Sequence, residues 1–382
     1  MVTFITELEE AAAPVRDVVR SGLENGTQFR IVGARTWLSA GRPVAAGEEL
    51  SPGPAAIIEY VPGDLTITVR AGTPLRDIAR STAAHNQWLP LDPFGAPGMT
   101  IGATVATSSA GPLAHAFGTP RDQVIGLGFV TGRGDYVRSG GRVVKNVAGF
   151  DLTRLIIGSW GTLGVVTDVT LRLRARPEAD VTIALVLSDD SVKFRDALSA
   201  VAEADVAPFA MELVNPVAAR AIGTDGETLL LARLGGNNAA VAAQRNAFGR
   251  LGEIRDMPPS VWDTLRQAEP QDSASVRFSG PLIAFDGIWR RLQGELDTVG
   301  AFMHGTPGRG IVRCVIPGAS AGVLAKLAGE EGAPTAIFER LPESVWSEAD
   351  SELMNDGLSR RVREAFDPAM LLNPGILGQQ LS

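Results

Sequence analysis

A stretch rich in glycine, threonine and serine in the first half of the chain most constrains what this sequence can fold into. Residues 97–111 read PGMTIGATVATSSAG, and glycines recur as far as residue 164. Small residues let the main chain approach a ligand closely, and hydroxyl groups together with backbone N–H groups suit phosphate oxygens. The stretch therefore predicts a site for a large phosphorylated cofactor, built mainly from backbone.

Two common phosphate-binding motifs are absent from the sequence. A dinucleotide-binding Rossmann unit needs GxGxxG between a strand and a helix, whereas the GxG at 132–134 lacks the third glycine and lies in a predicted hairpin turn. The Walker sequence GxxxxGK(S/T) does not occur. The glycine spacing at 158–164 fits either a cofactor loop or ordinary turns, and taken alone it does not decide between them.

Composition excludes several kinds of partner and site. The 382 residues carry a net charge of −8, which disfavours nucleic acid or an anionic bilayer as a direct partner. The single cysteine, Cys314, cannot form an internal disulfide and cannot by itself hold zinc or an iron–sulfur cluster. The chain begins MVTFITELEEAAAP, which lacks the features of a signal peptide, and no apolar run reaches the roughly 20 residues that span a bilayer. We therefore expect a cytoplasmic chain without direct membrane insertion, able to reach a membrane only through a partner.

The alternation of predicted elements indicates an α+β protein with two domains and a C-terminal return. The sequence TITVR at 66–70 alternates polar and apolar residues, as a half-buried strand does, and the alternation in GVVTDVTLRL at 164–173 also predicts a strand. A second alternation begins near residue 176, with expected strands at 181–187, 209–214, 228–234, 275–279, 311–316 and 335–339. We expect domains at 1–175 and 176–335 and a returning segment at 336–382.

Four motifs in a fixed order carry a resemblance to a known family. They are VRAG at 69–72, PGMTIGATVATSSAG at 97–111, GTPRDQVIGL at 118–127 and GSWGTLGVVTDVTLRL at 158–173. The chain resembles the vanillyl-alcohol oxidase/PCMH family of FAD flavoproteins, in particular its branch of 2-hydroxy-acid dehydrogenases. The sequences KNVAGFDLTRL at 145–155 and FDPAMLLNPG at 366–375 look like those of FAD-binding accessory subunits of glycolate oxidases. The resemblance covers the first domain and the tail and is weak over 180–330.

This resemblance implies a PCMH-type FAD-binding domain of two α+β subdomains, an α+β cap domain, and a C-terminal segment that returns to the FAD-binding domain. It implies non-covalent FAD, because the place where some relatives attach the flavin to a histidine holds Thr36 or Trp37. The implied flavin-binding residues fall in three loops: Gly33, Ala34, Arg35, Thr36 and Trp37; Pro97, Thr100, Ile101, Gly102, Ala103, Thr104, Thr107, Ser108, Ser109 and Gly111; and Gly161, Leu163, Gly164 and Val166.

The second domain departs from the catalytic members of the family. Those relatives carry an HxGxGNxH-like motif whose histidines help to hold a divalent metal that acts as a Lewis acid on the hydroxy acid. Here the stretch reads HGTPGRGIVR at 304–313, and Arg313 takes the place of the second histidine. Because the chain has three histidines in all, we expect no metal site.

No catalytic residue is identified from the sequence, and the candidates are Arg313, Lys145 and His115. Arg313 either clamps a substrate carboxylate or forms a structural ion pair on a strand. His115, isolated in a glycine-rich loop, is more often a packed or hydrogen-bonding residue than a base.

Three functions stay open. The chain is an FAD-binding subunit that relays electrons beside a metal-bearing catalytic flavoprotein and an iron–sulfur subunit, a self-sufficient FAD dehydrogenase for a small 2-hydroxy acid such as glycolate or D-lactate, or a flavin-free scaffold. The missing histidine pair favours the first over the second. The nearly complete second loop favours the first over the third.

Overall fold

The chain divides into two units, each assembled from segments that are distant in sequence. The computed structural model describes residues 2–141, 151–328, 334–346 and 356–378. The first unit comprises Met1–Ala110, Gly118–Arg176 and Asp350–Ser382, and the second comprises Gly111–Phe117 and Pro177–Ala349. In the sequence, the long segment Pro177–Ala349 of the second unit therefore lies between two segments of the first unit.

The helices and strands of the described residues are numbered in chain order. The α-helices are α1 (Val2–Ala11), α2 (Ala13–Asn25), α3 (Leu75–Ala83), α4 (Ile101–Thr107), α5 (Ala114–Phe117), α6 (Pro120–Gln123), α7 (Leu152–Ile156), α8 (Ser191–Glu203), α9 (Pro216–Ala221), α10 (Asn238–Leu251), α11 (Ser260–Gln267), α12 (Phe285–Leu296), α13 (Ala321–Ala328), α14 (Glu343–Trp346) and α15 (Gly357–Phe366). The strands are β1 (Phe29–Ile31), β2 (Glu48–Leu50), β3 (Ile57–Val61), β4 (Thr66–Arg70), β5 (Gln87–Trp88), β6 (Val124–Val130), β7 (Tyr136–Gly140), β8 (Val165–Arg172), β9 (Arg174–Ala175), β10 (Ala179–Val186), β11 (Ala210–Val214), β12 (Leu229–Gly236), β13 (Ile254–Met257), β14 (Ser273–Ser279), β15 (Phe302–Thr306), β16 (Ile311–Pro317) and β17 (Thr335–Arg340).

The first unit contains two hydrophobic cores, in agreement with the two subdomains that the resemblance implied. One core packs α2 against the parallel pair β1–β2 and the chain's tail. The other lies on the antiparallel five-stranded sheet, in the order β3-β4-β8-β6-β7, with α3 and α4. The hairpin expected around residues 132–134 is present between β6 and β7.

The strands β4 and β8 are buried almost throughout, whereas the alternating sequence of β4 predicted a half-buried strand. Their polar side chains satisfy one another instead: the Thr68 and Thr170 hydroxyls lie 3.0 Å apart, and buried Asp168 pairs with Arg138. Buried polar groups that are hydrogen-bonded in this way carry little of the usual desolvation penalty. Alternation therefore predicted both strands correctly, and the exposure of β4 wrongly.

The tail returns beside β1. Leu371 and Leu372 are buried in the same core as Phe29, and Leu372 forms a parallel bridge to Phe29. The carboxylate of Asp367 accepts hydrogen bonds from the backbone N–H groups of Leu371 (3.0 Å) and Leu372 (2.9 Å). These bonds fix the path of the chain toward Asn373.

The second unit is an antiparallel eight-stranded sheet in the order β13-β10-β12-β11-β15-β16-β14-β17. Alternate residues of β11 separate its two faces, because Met211 packs in the core formed with α8, α10, α12 and α13, whereas Val214 packs in the core formed with α9 and α11. The strands β13 and β15 and the helices α9 and α11 were not expected from the sequence.

The expected boundary at residue 335 is wrong. Thr335–Arg340 forms the edge strand β17, which pairs with β14, so this segment belongs to the sheet of the second unit rather than to the returning tail. No helix among the described residues is both long and apolar enough to cross a bilayer.

Candidate functional site

A cleft in the first unit brings together the three predicted loops and the tail. It has an empty volume of about 850 Å³, its open mouth included. Its described lining residues are Arg30, Ile31, Gly33, Ala34, Arg35, Thr36, Trp37, Leu38, Ala40, Pro52, Met99, Thr100, Gly102, Ala103, Ala106, Thr107, Trp160, Gly161, Gly164, Val166, Asn373 and Ile376. The lining combines small residues, two arginines and two tryptophans.

The first loop, residues 33–37, follows directly after β1. A Cβ at Gly33 would lie 2.7 Å from the Thr100 hydroxyl, so only glycine lets this loop approach the second one so closely. Arg35 adopts a left-handed backbone with φ 59°, and its exposed guanidinium pairs with Glu49, at 2.7 Å between Nη1 and Oε1. Arg35 and Arg30 supply the positive charge of the cleft.

The second loop forms the short helix α4, whose hydroxyls are engaged with its own backbone. The Thr100 side chain caps the helix by accepting a hydrogen bond from the Ala103 N–H (3.3 Å). The hydroxyl of Thr104 donates to the Thr100 carbonyl (3.0 Å), and that of Thr107 donates to the Ala103 carbonyl (2.8 Å). Threonine is therefore used here largely to build the helix, and not chiefly as a set of free phosphate ligands.

Gly102 in α4 is required by packing within the protein. A Cβ at this position would lie 2.7 Å from the Ala71 Cβ and 2.9 Å from the Ala71 carbonyl oxygen. The Gly102 N–H also donates to that carbonyl, at 2.8 Å. The glycine thus lets α4 lie directly against the end of β4, whereas the sequence suggested a close approach to a ligand.

The third loop, residues 158–164, is bound to the end of α4. The backbone N–H of Trp160 donates to the Ala106 carbonyl at 2.8 Å, and that of Gly158 donates to the Val105 carbonyl at 3.0 Å. The indole of Trp160 stacks on that of Trp37, with ring centroids 6.0 Å apart and 27° between the planes. The first and third loops therefore share an aromatic wall in the cleft.

Twelve of the predicted flavin-binding residues line this cleft, and the others lie elsewhere. Those outside it are Pro97, Ile101, Thr104, Ser108, Ser109, Gly111 and Leu163. Ile101 and Leu163 are buried in the core, and the Ser109 hydroxyl accepts a hydrogen bond from the Phe94 N–H at 3.0 Å. Gly111 is grouped with the second unit. Sequence reasoning missed Arg30, Trp160 and Asn373, although the last two lie inside motifs that carried the resemblance.

The three catalytic candidates do not come together. Lys145 lies outside the described residues. His115, on α5, lies beside Gly308 in a separate cleft of the second unit. Burial lowers the pKa of His115 and Arg309 lowers it further, although Glu212 acts in the opposite direction. The imidazole is thus biased toward its neutral form.

Arg313 lies on β16, 1 % exposed, and takes part in a buried ion-pair network. Its Nε donates to Glu339 Oε2 at 2.8 Å and its Nη2 pairs with Glu269, while Arg277 Nε donates to the other Glu339 oxygen at 2.9 Å. Burial alone would lower the pKa of Arg313, but the two carboxylates outweigh it and raise that pKa. The geometry favours the structural ion pair over a substrate clamp.

His304 is likewise engaged inside the second unit. Its Nδ1 lies 2.7 Å from Glu212 Oε2, and the Thr306 hydroxyl donates to the other Glu212 oxygen. Both His304 and Glu212 are almost fully buried. No group of three or more His, Cys, Asp or Glu side chains placed to hold a metal ion occurs in the part of the chain that the structure describes.

Comparison with known proteins identifies the family. A family profile described as an FAD binding domain matches residues 9–140. The glycolate oxidase subunit GlcE of Escherichia coli is 34% identical over 254 residues, which cover 66% of this chain and 67% of that one. The glycolate oxidase subunit GlcD of Bacillus subtilis is 36% identical over 42% of this chain and 34% of its own length, and the mitochondrial D-lactate dehydrogenase (cytochrome) of Arabidopsis thaliana is 44% identical over 31% of this chain and 20% of its own.

Solved structures show the same fold. A crystal structure of alkyldihydroxyacetonephosphate synthase superimposes with a TM-score of 0.67 at 14% identity, covering 94% of this chain and 75% of the synthase. At this identity the likeness concerns the fold alone. The sequence relatives and the family profile show that the chain belongs to the vanillyl-alcohol oxidase/PCMH family of FAD-dependent oxidoreductases.

Proposed function

We propose that the chain is the FAD-binding accessory subunit of a multi-subunit glycolate oxidase, which oxidises glycolate or D-lactate to the 2-oxo acid. In this proposal it relays electrons, or stabilises the complex, beside a metal-bearing catalytic flavoprotein and an iron–sulfur subunit. The relatives named as glycolate oxidase subunits support the assignment to a complex. Its place would be the cytoplasm, at the inner face of the membrane through its partners.

The residues of the cleft fit FAD. Two arginines, Arg30 and Arg35, offer positive charge for a pyrophosphate, and the stacked indoles offer an apolar wall for a planar ring. When bound, FAD would supply an acceptor for the two electrons that a 2-hydroxy acid loses on oxidation. The chain's own contribution would be to bind and orient the cofactor between the three loops.

The cleft also favours non-covalent binding. Histidine, cysteine and tyrosine, whose nucleophilic atoms could bond to a flavin, are missing from the described residues that line it. By resemblance, the histidine to which some relatives attach their flavin falls at residue 36 or 37 of this chain, and these residues are Thr36 and Trp37. We therefore expect acid precipitation of the purified holoprotein to release all of its FAD, whereas flavin that stays with the precipitate would contradict this part of the proposal.

The observation that carries the accessory assignment is the engagement of Arg313. This residue takes the place of a metal-binding histidine of catalytic relatives, and it is held by Glu339 and Glu269. A guanidinium cannot ligate a metal, because it offers only donors. The paired Arg313 therefore supports a subunit that does not activate a hydroxy acid by the metal route that those relatives use.

The experiment is anaerobic addition of glycolate and of D-lactate to the FAD-loaded chain, alone and in its reconstituted complex. We expect the flavin bound to this chain to stay oxidised when the chain is alone. In the complex, we expect the flavin bound to the same chain to be reduced. Rapid reduction of the isolated chain by either acid would instead identify a self-sufficient dehydrogenase. A chain that binds no FAD at all would be a scaffold.

A further inference from the structure

Asn373, in the returning tail, bridges two walls of the cofactor cleft. Its side-chain oxygen accepts a hydrogen bond from the Ile31 N–H at 2.8 Å, and its side-chain nitrogen donates to the Trp160 carbonyl at 2.7 Å. Its own backbone N–H donates to the Phe29 carbonyl at 2.8 Å. Ile31 and Trp160 both line the cleft and are separated by more than a hundred residues of sequence. One amide group therefore joins the entry to the first loop with the third loop.

The Trp160 backbone needs such a restraint. Trp160 has φ 54°, the left-handed region that bulky residues rarely adopt. Its N–H is held by Ala106 and its carbonyl by Asn373, so both of its peptide groups are fixed from outside the loop. This conformation places the Trp160 indole against Trp37. Strained residues persist only where the surrounding structure determines them, and they are concentrated at functional sites.

The Asn373 amide packs closely against Gly161. A Cβ on Gly161 would lie 2.8 Å from the Asn373 side-chain nitrogen and 2.9 Å from Ile31 Cδ1. Gly161 has φ 70°, which glycine alone adopts without strain. The amide thus lies between the third loop and β1, and Asn373 as a whole residue is 4 % exposed.

Arg363 holds the part of the tail that directly precedes Asn373. Arg363 donates to the Leu372 carbonyl at 2.6 Å and to Asp367 at 3.2 Å. Asn373 itself has φ 44°, a conformation that asparagine tolerates better than most residues because its short polar side chain can bond locally. The backbone around Asn373 therefore holds the side-chain amide so that its oxygen faces the Ile31 N–H and its nitrogen faces the Trp160 carbonyl.

We propose that Asn373 is a positioning residue of the flavin site, acting through Trp160 and Ile31 to hold the aromatic wall against a planar ring of the bound FAD. The inference rests on the proposed FAD binding, and it deepens that proposal by assigning a role to the tail. Asn373 need not touch the cofactor. Its effect is to keep the first and third loops at the separation that the cofactor requires.

Two variants separate the side-chain bonds from the backbone conformation. Asn373→Asp keeps the acceptor for Ile31 but places a carboxylate oxygen against the Trp160 carbonyl. Asn373→Gly removes both bonds and keeps the left-handed backbone. Asn86→Gly is the matched control, because Asn86 also has positive φ, at 53°, in an exposed turn outside the cleft.

Two measurements test the proposal on the full chain. The near-ultraviolet circular dichroism of the apo-protein reports the stacked indoles without any flavin, with Trp37→Phe defining their contribution. The dissociation constant for FAD and the visible circular dichroism of the bound flavin report the site itself. We expect both Asn373 variants to lose the indole signal, to bind FAD about tenfold or more weakly, and to alter the flavin spectrum, because a polar group left without its partner is costly. Asn86→Gly should bind FAD as the wild type does.

Wild-type indole signal, FAD affinity and flavin spectrum in both variants would overturn the proposal. If the wild type itself binds no FAD, the proposed function fails, and the apo-protein signal still decides whether Asn373 positions Trp160. Titration with FMN, which carries the isoalloxazine ring, and with ADP, which carries the adenine ring, shows which ring of FAD stacks on the wall formed by Trp37 and Trp160. A ligand whose ring stacks there should lose affinity in the Asn373 variants as FAD does, and a ligand whose ring lies elsewhere should not.

Discussion

The cleft of the first unit and the buried ion-pair network of the second unit, formed by Arg313, Arg277, Glu339 and Glu269, are built in opposite ways. The cleft uses backbone groups, glycines and small side chains from loops that are dense in motifs, and its Arg35 is largely exposed. The sheet instead buries ionisable side chains, with Arg313 held between Glu339 and Glu269 and with His304 hydrogen-bonded to Glu212. The comparison teaches that the cleft keeps its Arg35–Glu49 pair exposed to solvent, whereas the network around Arg313 is buried and paired within the unit.

The largest effect should come from breaking the charge network. We expect Arg313→Met to lower the free energy of unfolding by about 3–5 kcal/mol, because two buried carboxylates then lose their shared cation. Urea unfolding of the purified chain measures this. Arg277→Met is the control and should cost less, since Arg277 is a third exposed and Arg313 still holds Glu339. Unchanged stability in Arg313→Met would show that the charge network does not stabilise the protein. Weaker FAD binding by the folded variant would show that the network also affects the cleft of the first unit.

A smaller effect should come from the packing that supports the cleft. We expect Gly102→Ala to cost about 1–3 kcal/mol of stability and to weaken FAD binding, because the new Cβ pushes α4 away from Ala71. Gly63→Ala serves as the control, since a Cβ there meets no atom within 4 Å. Fluorescence titration with FAD checks the prediction, which fails if the two variants bind FAD equally well.

The pH dependence of stability tests the sheet again. Burial would raise the pKa of Glu339, but the charges of Arg313 and Arg277 outweigh it and lower that pKa below the ordinary value of 4.5. A carboxyl group whose folded-state pKa is depressed stabilises the protein above its unfolded pKa, and this contribution is lost as the pH falls through the folded value. We therefore expect the wild type to lose more stability than Glu339→Gln between about pH 6 and about pH 3.5. Equal losses would show that Glu339 is not held ionised.

The smallest effect is expected at Cys314. This thiol is fully buried on β16, and burial raises its pKa well above the ordinary value. Since the thiolate is the reactive form, we expect no reaction with a disulfide reagent in the native protein and rapid reaction in urea. In Arg313→Met the reaction should become measurable without urea, because the neighbouring network is lost. Rapid reaction of the native wild type would contradict the burial of this sheet.

The sequence predicted the loops of the cleft and most strands of the sheet, but not the contacts between residues that are distant in the chain. Motif order located the three loops, because loops such as 33–37 and 158–164 are defined by residues next to one another in the chain. It did not reveal that Gly102 and Gly161 are required by protein packing, since the atoms they contact come from Ala71 and Asn373, which are brought near only by folding.

The network around Arg313 was beyond sequence reasoning for the same reason. Its carboxylates come from residues 26 and 44 positions away, on β17 and before β14, and nothing local marks them as partners. The pattern at 304–313 indicated only that a histidine of the kind that binds a metal in catalytic relatives was missing. Strand pairing brings Glu339 to Arg313, and the loop before β14 brings Glu269.

The central claim is that the cleft of the first unit holds one FAD non-covalently. The most direct test is titration of the flavin-free chain with FAD, in which affinity and stoichiometry are measured for the wild type and for Gly161→Ala. The account predicts one tightly bound FAD per chain in the wild type, released completely by acid, and much weaker binding in the variant, because the added Cβ displaces Asn373 and Ile31. Absence of saturable binding in the wild type, or equal binding in the variant, would contradict it.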